Sequence, residues 1–170
     1  MATTFELISS ASGTGSSGVI TFSSIPSTFT DLVVYISARA STDTQSAPTL
    51  MSINGNSSNL SFKRILGTGG SVISQSGTGT GGVGGVLTNG SDFTSNTFGS
   101  GQVYIPNYAG SSYKSYSMES TNENNASGSY MSMVAGLWSS TAAITSLTFT
   151  QEVGNTANYS TFYLYGVKNA

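Results

Sequence analysis

Short apolar runs recur along this chain between turn-forming residues, and most of them alternate apolar and polar positions with a period of two, the pattern of half-buried β-strands. About nine strands are expected. Residues 4–10 place Phe5 and Leu7 on one face, and residues 18–25 carry Ile20 and Phe22. Leu32, Val34 and Ile36 alternate with Val33, Tyr35 and Ser37 in the strongest of them. A segment over 49–54 ends at Asn54-Gly55, a pair suited to the positive-φ positions of a tight hairpin turn, with residues 60–66 as its expected partner. Further strands are expected over 101–108, 113–121, 130–138, 144–152 and 161–167. Their shared phase predicts a core containing Leu32, Val34, Ile36, Ile105, Leu147, Phe149, Phe162 and Leu164. No segment keeps apolar residues at helical spacing, so little or no helix is expected. Strands following one another without intervening helices predict an all-β, antiparallel β-sandwich of jelly-roll type, in one domain over residues 1–170.

Residues 67–91 interrupt this pattern with runs of Gly and Thr around Val72, Ile73, Val83, Val86 and Leu87. Glycine raises the entropy that folding must overcome, so the stretch reads as a mobile loop holding one or two weak strands, or as backbone ordered only by packing. It lacks the lysine followed by Ser or Thr that a phosphate-cradling loop needs.

Charge changes the picture most. Of 170 residues five are basic and seven acidic, and neither His nor Cys occurs. Proton transfer near neutral pH and nucleophilic catalysis depend on those residue types or on paired carboxylates, so an enzyme is not expected and no catalytic residue is assigned. Five scattered cations and a net charge of −2 argue against nucleic acid, which needs a clustered basic face. No apolar run approaches a membrane span, and the chain opens without a secretory pattern. Charged residues are scarce at the centres of protein interfaces, so a 7% charged fraction points to surface that meets other protein, and a homo-oligomer, most simply a trimer, is expected.

The richest polar cluster, residues 119–125, offers oxygen ligands but lacks the spacing of a calcium loop and reads as a solvated hairpin turn. Asp31 and Asp43 flank the third strand, with nothing in the sequence to pair them as a glycosidase requires. Asn-x-Ser sequons at Asn56, Asn59, Asn89, Asn125 and Asn158 fit chance in so Asn- and Ser-rich a chain. No cofactor or metal site is assigned. Aromatic side chains could stack on sugars, yet Tyr35, Tyr104, Tyr163 and Tyr165 sit where cross-strand pairs support a sheet. Tyr108, Tyr113, Tyr130 and Tyr159 lie at expected strand ends and are the candidate interface residues.

Several segments together carry a resemblance: Ser24-Ile25-Pro26-Ser27-Thr28-Phe29-Thr30-Asp31-Leu32-Val33-Val34, Tyr104-Ile105-Pro106-Asn107-Tyr108-Ala109-Gly110, Ala135-Gly136-Leu137-Trp138-Ser139-Ser140-Thr141-Ala142-Ala143-Ile144, and Tyr163-Leu164-Tyr165-Gly166-Val167-Lys168. With these the chain resembles small virion structural proteins of tailed bacteriophages, especially cyanophages. The resemblance implies a jelly-roll protein made in the host cytoplasm and placed in the virion. It also implies either a trimeric decoration (cement) protein on the capsid exterior, bound to the major capsid protein, or a tail-fibre or receptor-binding module that recognises host surface glycans. It supplies no catalytic motif.

Overall fold

A computed structural model describes residues 4–78, 85–125 and 128–168. It is all-β, with twelve strands in two antiparallel sheets and no helix among the described residues. The strands are β1 (Phe5–Ser12), β2 (Val19–Phe22), β3 (Asp31–Ala38), β4 (Ser46–Ile53), β5 (Leu60–Gly67) and β6 (Val72–Thr78). They continue with β7 (Val86–Asn89), β8 (Gly99–Ile105), β9 (Lys114–Glu123), β10 (Ser129–Trp138), β11 (Leu147–Gln151) and β12 (Thr161–Val167).

One sheet runs β1-β12-β3-β8-β9-β10-β5-β6 and the other β2-β11-β4-β7. Without β5, β6, β9 and β10, the remaining strands form two four-stranded sheets, β1-β12-β3-β8 and β2-β11-β4-β7, and the chain alternates between them at β1 to β2, β2 to β3, β3 to β4, β7 to β8 and β11 to β12. That order is a jelly roll. Two inserted hairpins, β5–β6 between β4 and β7 and β9–β10 between β8 and β11, pair with each other through β10 and β5 and widen the larger sheet on the β8 side.

The alternation forecasts the core well. Leu32, Val34, Ile36, Ile105, Leu147, Phe149, Phe162 and Leu164 are all buried in one cluster. Phe149 meets Phe162 and Phe22 at ring-centroid distances of 5.8 and 6.4 Å. Gly136 on β10 lies opposite Tyr116 on β9, whose ring occupies the space a Cβ would need, so the glycine is what lets the aromatic lie flat across the strand.

The expected strand count of about nine is too low, and the reason lies in the glycine-rich segment. β6 and β7 both form there, flanking residues 79–84, which with Val83 lie outside the described residues. All four residues of β7 are buried. Its order comes from tertiary hydrogen bonds that no local pattern encodes: Leu87 N–H donates to Ser120 Oγ at 3.0 Å, and Asn122 Nδ2 donates to the Thr88 carbonyl at 3.3 Å. The expected β4–β5 hairpin is also corrected. Asn54 and Gly55 do take positive φ (51° and 69°), but the turn closes only the Ile53–Asn56 bridge, and β5 then crosses to the other sheet. Asn54 settles that exit, since its Oδ1 accepts from the backbone N–H groups of Thr145 and Ser146 (2.8 and 3.0 Å) while its Nδ2 donates to the Ala143 carbonyl at 2.8 Å.

Candidate interaction surfaces

The four candidate tyrosines do not form one surface. β3 starts at Asp31, whose carboxylate accepts from the Asn107 N–H at 2.8 Å, and ends near Arg39, whose carbonyl accepts from the Ala157 N–H at 2.8 Å. Tyr108 and Tyr113 belong to the first end, Tyr159 to the second. Tyr108 is not a surface residue at all: it is fully buried, donates its hydroxyl to the Pro26 carbonyl, and has its pKa raised by burial. The preceding Asn107, at φ 49°, turns the chain so that Tyr108 enters the core, which a position at a strand end does not reveal. Tyr130 is half-buried, stacked on Phe93 at 6.4 Å, with its hydroxyl donating to Gln45 Oε1 at 2.9 Å. Tyr113 and Tyr159 are exposed.

Nor do the carboxylates converge. The 119–125 cluster is mostly strand rather than turn: alternation along β9 sends Ser120 and Asn122 inward and Glu119, Thr121 and Glu123 outward, and the strand ends at Glu123. Asp31 accepts from the Tyr104 hydroxyl at 2.9 Å, which raises that tyrosine's pKa, while Asp43 accepts from Ser91 Oγ at 2.5 Å. Among the described residues no group of three His, Cys, Asp or Glu could hold a metal ion.

What the structure offers instead is an open sheet edge. An unpaired edge strand exposes rows of N–H and C=O groups, and proteins protect such edges with bulges, charges, shortness or cover. Three of the four edges here are protected. β1 carries a register shift between Leu7 and Ser9 and a Glu6–Lys168 ion pair at 2.7 Å. β2 is four residues long. β7 is covered by Ser120 and Asn122, and its Asn89 carbonyl accepts from the Ala40 N–H at 2.7 Å. Among the described residues β6 has none of these devices. Its seven residues hold an unbroken register with β5, contain neither charge nor proline, and meet no strand on their other side among the described residues.

Beside that edge the outer face of the sheet carries an apolar patch, bordered by Lys63 on β5 and Glu119 on β9. Val72, Ile65, Met131 and Met133 lie on adjoining strands, at exposures from 57% for Met133 to 76% for Val72. Together they form an apolar patch of a few hundred Å², the size of the largest patch on a typical monomer, which is often functional. The expected strand over 130–138 carries no assignment of its two faces; the structure buries Ser132 and exposes Met131 and Met133.

Set against known protein families, curated proteins and solved structures, the chain matches none.

Beneath the widened part of the sheet the interior is mixed. Arg64 is buried on β5, donates to Gln75 Oε1 on β6, and has its pKa lowered by desolvation against the opposing attraction of Glu152. Lys114 is buried at the start of β9, donates to the Gly110 carbonyl at 2.6 Å, and lies 5.7 Å from the centre of the Trp138 ring. Both cations donate to neutral acceptors and point away from the outer face, with Glu152 adding its attraction at Arg64.

Proposed function

We propose that this chain is a structural protein of a bacteriophage virion, a decoration protein that binds the outside of the assembled head as a homotrimer and stabilises the lattice. The observation that carries the reading is the unprotected β6 edge beside an apolar sheet face. An edge of this kind adds a strand from a partner, with main-chain hydrogen bonds giving strength and alternate side chains giving fit. The resemblance to small virion proteins and the scarcity of surface charge support the same reading.

The mechanism is mass action. A protein that binds only the assembled, expanded lattice stabilises that state by its binding free energy, and an extended segment of the major capsid protein added to β6 exists in that geometry only after assembly. A cyclic trimer uses heterologous contacts, so exposed residues away from β6, Tyr113 and Tyr159 among them, are available between copies.

The test mixes the purified protein with expanded, tailless heads and measures cosedimentation and the temperature at which the heads rupture. Binding that raises the rupture temperature and weakens little with added salt is expected, because the contact is apolar and neutral. Loss of binding in Val72→Lys/Ser74→Lys, with the fold retained, assigns the contact to β6. Heads left unbound by the parent protein overturn the reading.

A further inference from the structure

The opposite half of the same outer face has a different chemistry. Tyr35 on β3 stands directly opposite Tyr163 on β12, and its ring meets Tyr165 edge-on with centroids 5.9 Å apart. Tyr165 in turn meets Phe5 on β1 at 6.5 Å. Val33, flanked in register by Tyr165 and Tyr104, is buried although it lies outside the core cluster. The aromatic rings therefore form a layer of their own on the sheet, and Tyr35 remains 42% exposed at its crest.

Two hollows of about 250 Å³ each border Tyr35. Ser37, Thr161 and Tyr163 line one, Gln102, Glu119 and Thr121 line the other, and Ser100 belongs to both. No cation lines either hollow among the described residues. We propose that this strip binds a neutral glycan, with one pyranose ring seated on the face of Tyr35 and its neighbours in the chain placed in the two hollows.

The chemistry selects that ligand. A pyranose presents C–H groups to an aromatic face and hydroxyls around its rim, and the rim here meets side-chain hydroxyls, an amide and one carboxylate. A phosphorylated, sulfated or sialylated ligand would find no counter-charge and would face Glu119. A protein partner with an apolar surface would bury these polar groups without replacing their hydrogen bonds with water. Both hollows are open at their sides, so the site suits the interior of a polysaccharide rather than its end. The site does not include β6, though Glu119 and Thr121 on its rim pair in register with Met133 and Met131 of the apolar patch, so the glycan is tested on the free protein.

The test titrates isotope-labelled protein with cellohexaose, mannohexaose and dextran oligosaccharides, at up to about 10 mM given the weak affinity of an open site, and with dextran sulfate as a charged control. The expected result is that at least one neutral probe shifts the amides of residues 35, 100–102, 119–121 and 161–163 while the control does not. Tyr35→Phe should keep the affinity and Tyr35→Ala should lower it about tenfold, the loss of one stacking contact. Gln102→Ala, which leaves the aromatic layer intact, should also weaken binding and serves if Tyr35→Ala folds poorly. No response to any neutral probe overturns the proposal, as do shifts confined to the β6 half or an affinity unchanged in Tyr35→Ala and Gln102→Ala.

Discussion

Replacing Arg39 should unfasten one end of the sandwich. Its Nη1 donates to the carbonyls of Thr94 and Thr97, each at 3.0 Å, and its Nη2 to those of Ser91 and Phe93 at 3.1 and 2.8 Å. Four carbonyls of the segment joining β7 to β8 thus converge on one planar fork, with no carboxylate among these partners. Hydrogen bonds to a charged group contribute about 1.5–3 kcal/mol each when buried, less where water can replace the donor. At this partly exposed end Arg39→Met should therefore cost about 3–5 kcal/mol in all. Arg39→Lys, which keeps the charge but not the fork, should cost about 2 kcal/mol. For a chain of this length each kcal/mol lowers the melting temperature by roughly 2–4 °C, so the Met variant should melt roughly 10 °C or more below the parent. Calorimetry reads the shift, and amide exchange should show protection lost first over residues 91–97. Phe93 stacks on Tyr130, so the tyrosine should lose its near-ultraviolet dichroism in the same variant. A Met variant that melts with the parent and keeps its protected amides would refute the claim that these four bonds hold the segment.

Val34→Asp or Phe149→Asp places a carboxylate in a fully buried site and should cost more than about 4 kcal/mol, giving insoluble protein; either variant remaining as soluble and heat-stable as the parent contradicts the core assignment. Burial raises the Tyr116 phenol to about 12 from its ordinary value near 10, so the folded state keeps the neutral form. Stability from this group is full below pH 10 and falls as pH rises to about 12, by about 2–3 kcal/mol in total. Lys114, lowered by desolvation, acts in the opposite sense below 10.5, so the measurement is the difference in denaturant midpoint between the parent and Tyr116→Phe across that range. Light scattering should find the parent a trimer, and a species that stays monomeric at high concentration counts against the assembly reading.

The core was legible because burial on one side imposes a period of two: β11 and β12 follow it throughout, and β3 departs from it only at Val33, which is buried on the outer face beneath the aromatic layer. The widened sheet was not. Along β10 a buried serine stands between two exposed methionines, Met131-Ser132-Met133, so hydropathy alone does not mark which face turns inward. β7 was obscured because its backbone is ordered by Ser120 and Asn122, more than thirty residues away in sequence. The tyrosines illustrate the same limit: strand ends were visible, but Tyr108 turns inward while Tyr35, in mid-strand, crests the outer face. The β6 edge became identifiable only once the other three edges could be compared with it.

The most direct test of the proposed assembly role is an image reconstruction of a phage particle whose genome encodes this chain, at a resolution that separates strands. The account predicts a trimeric jelly roll on the outside of the head, with β6 continued by a strand of the capsid protein and Val72, Ile65, Met131 and Met133 covered. A jelly roll found only at the tail, or one on the head with β6 facing solvent, would contradict it.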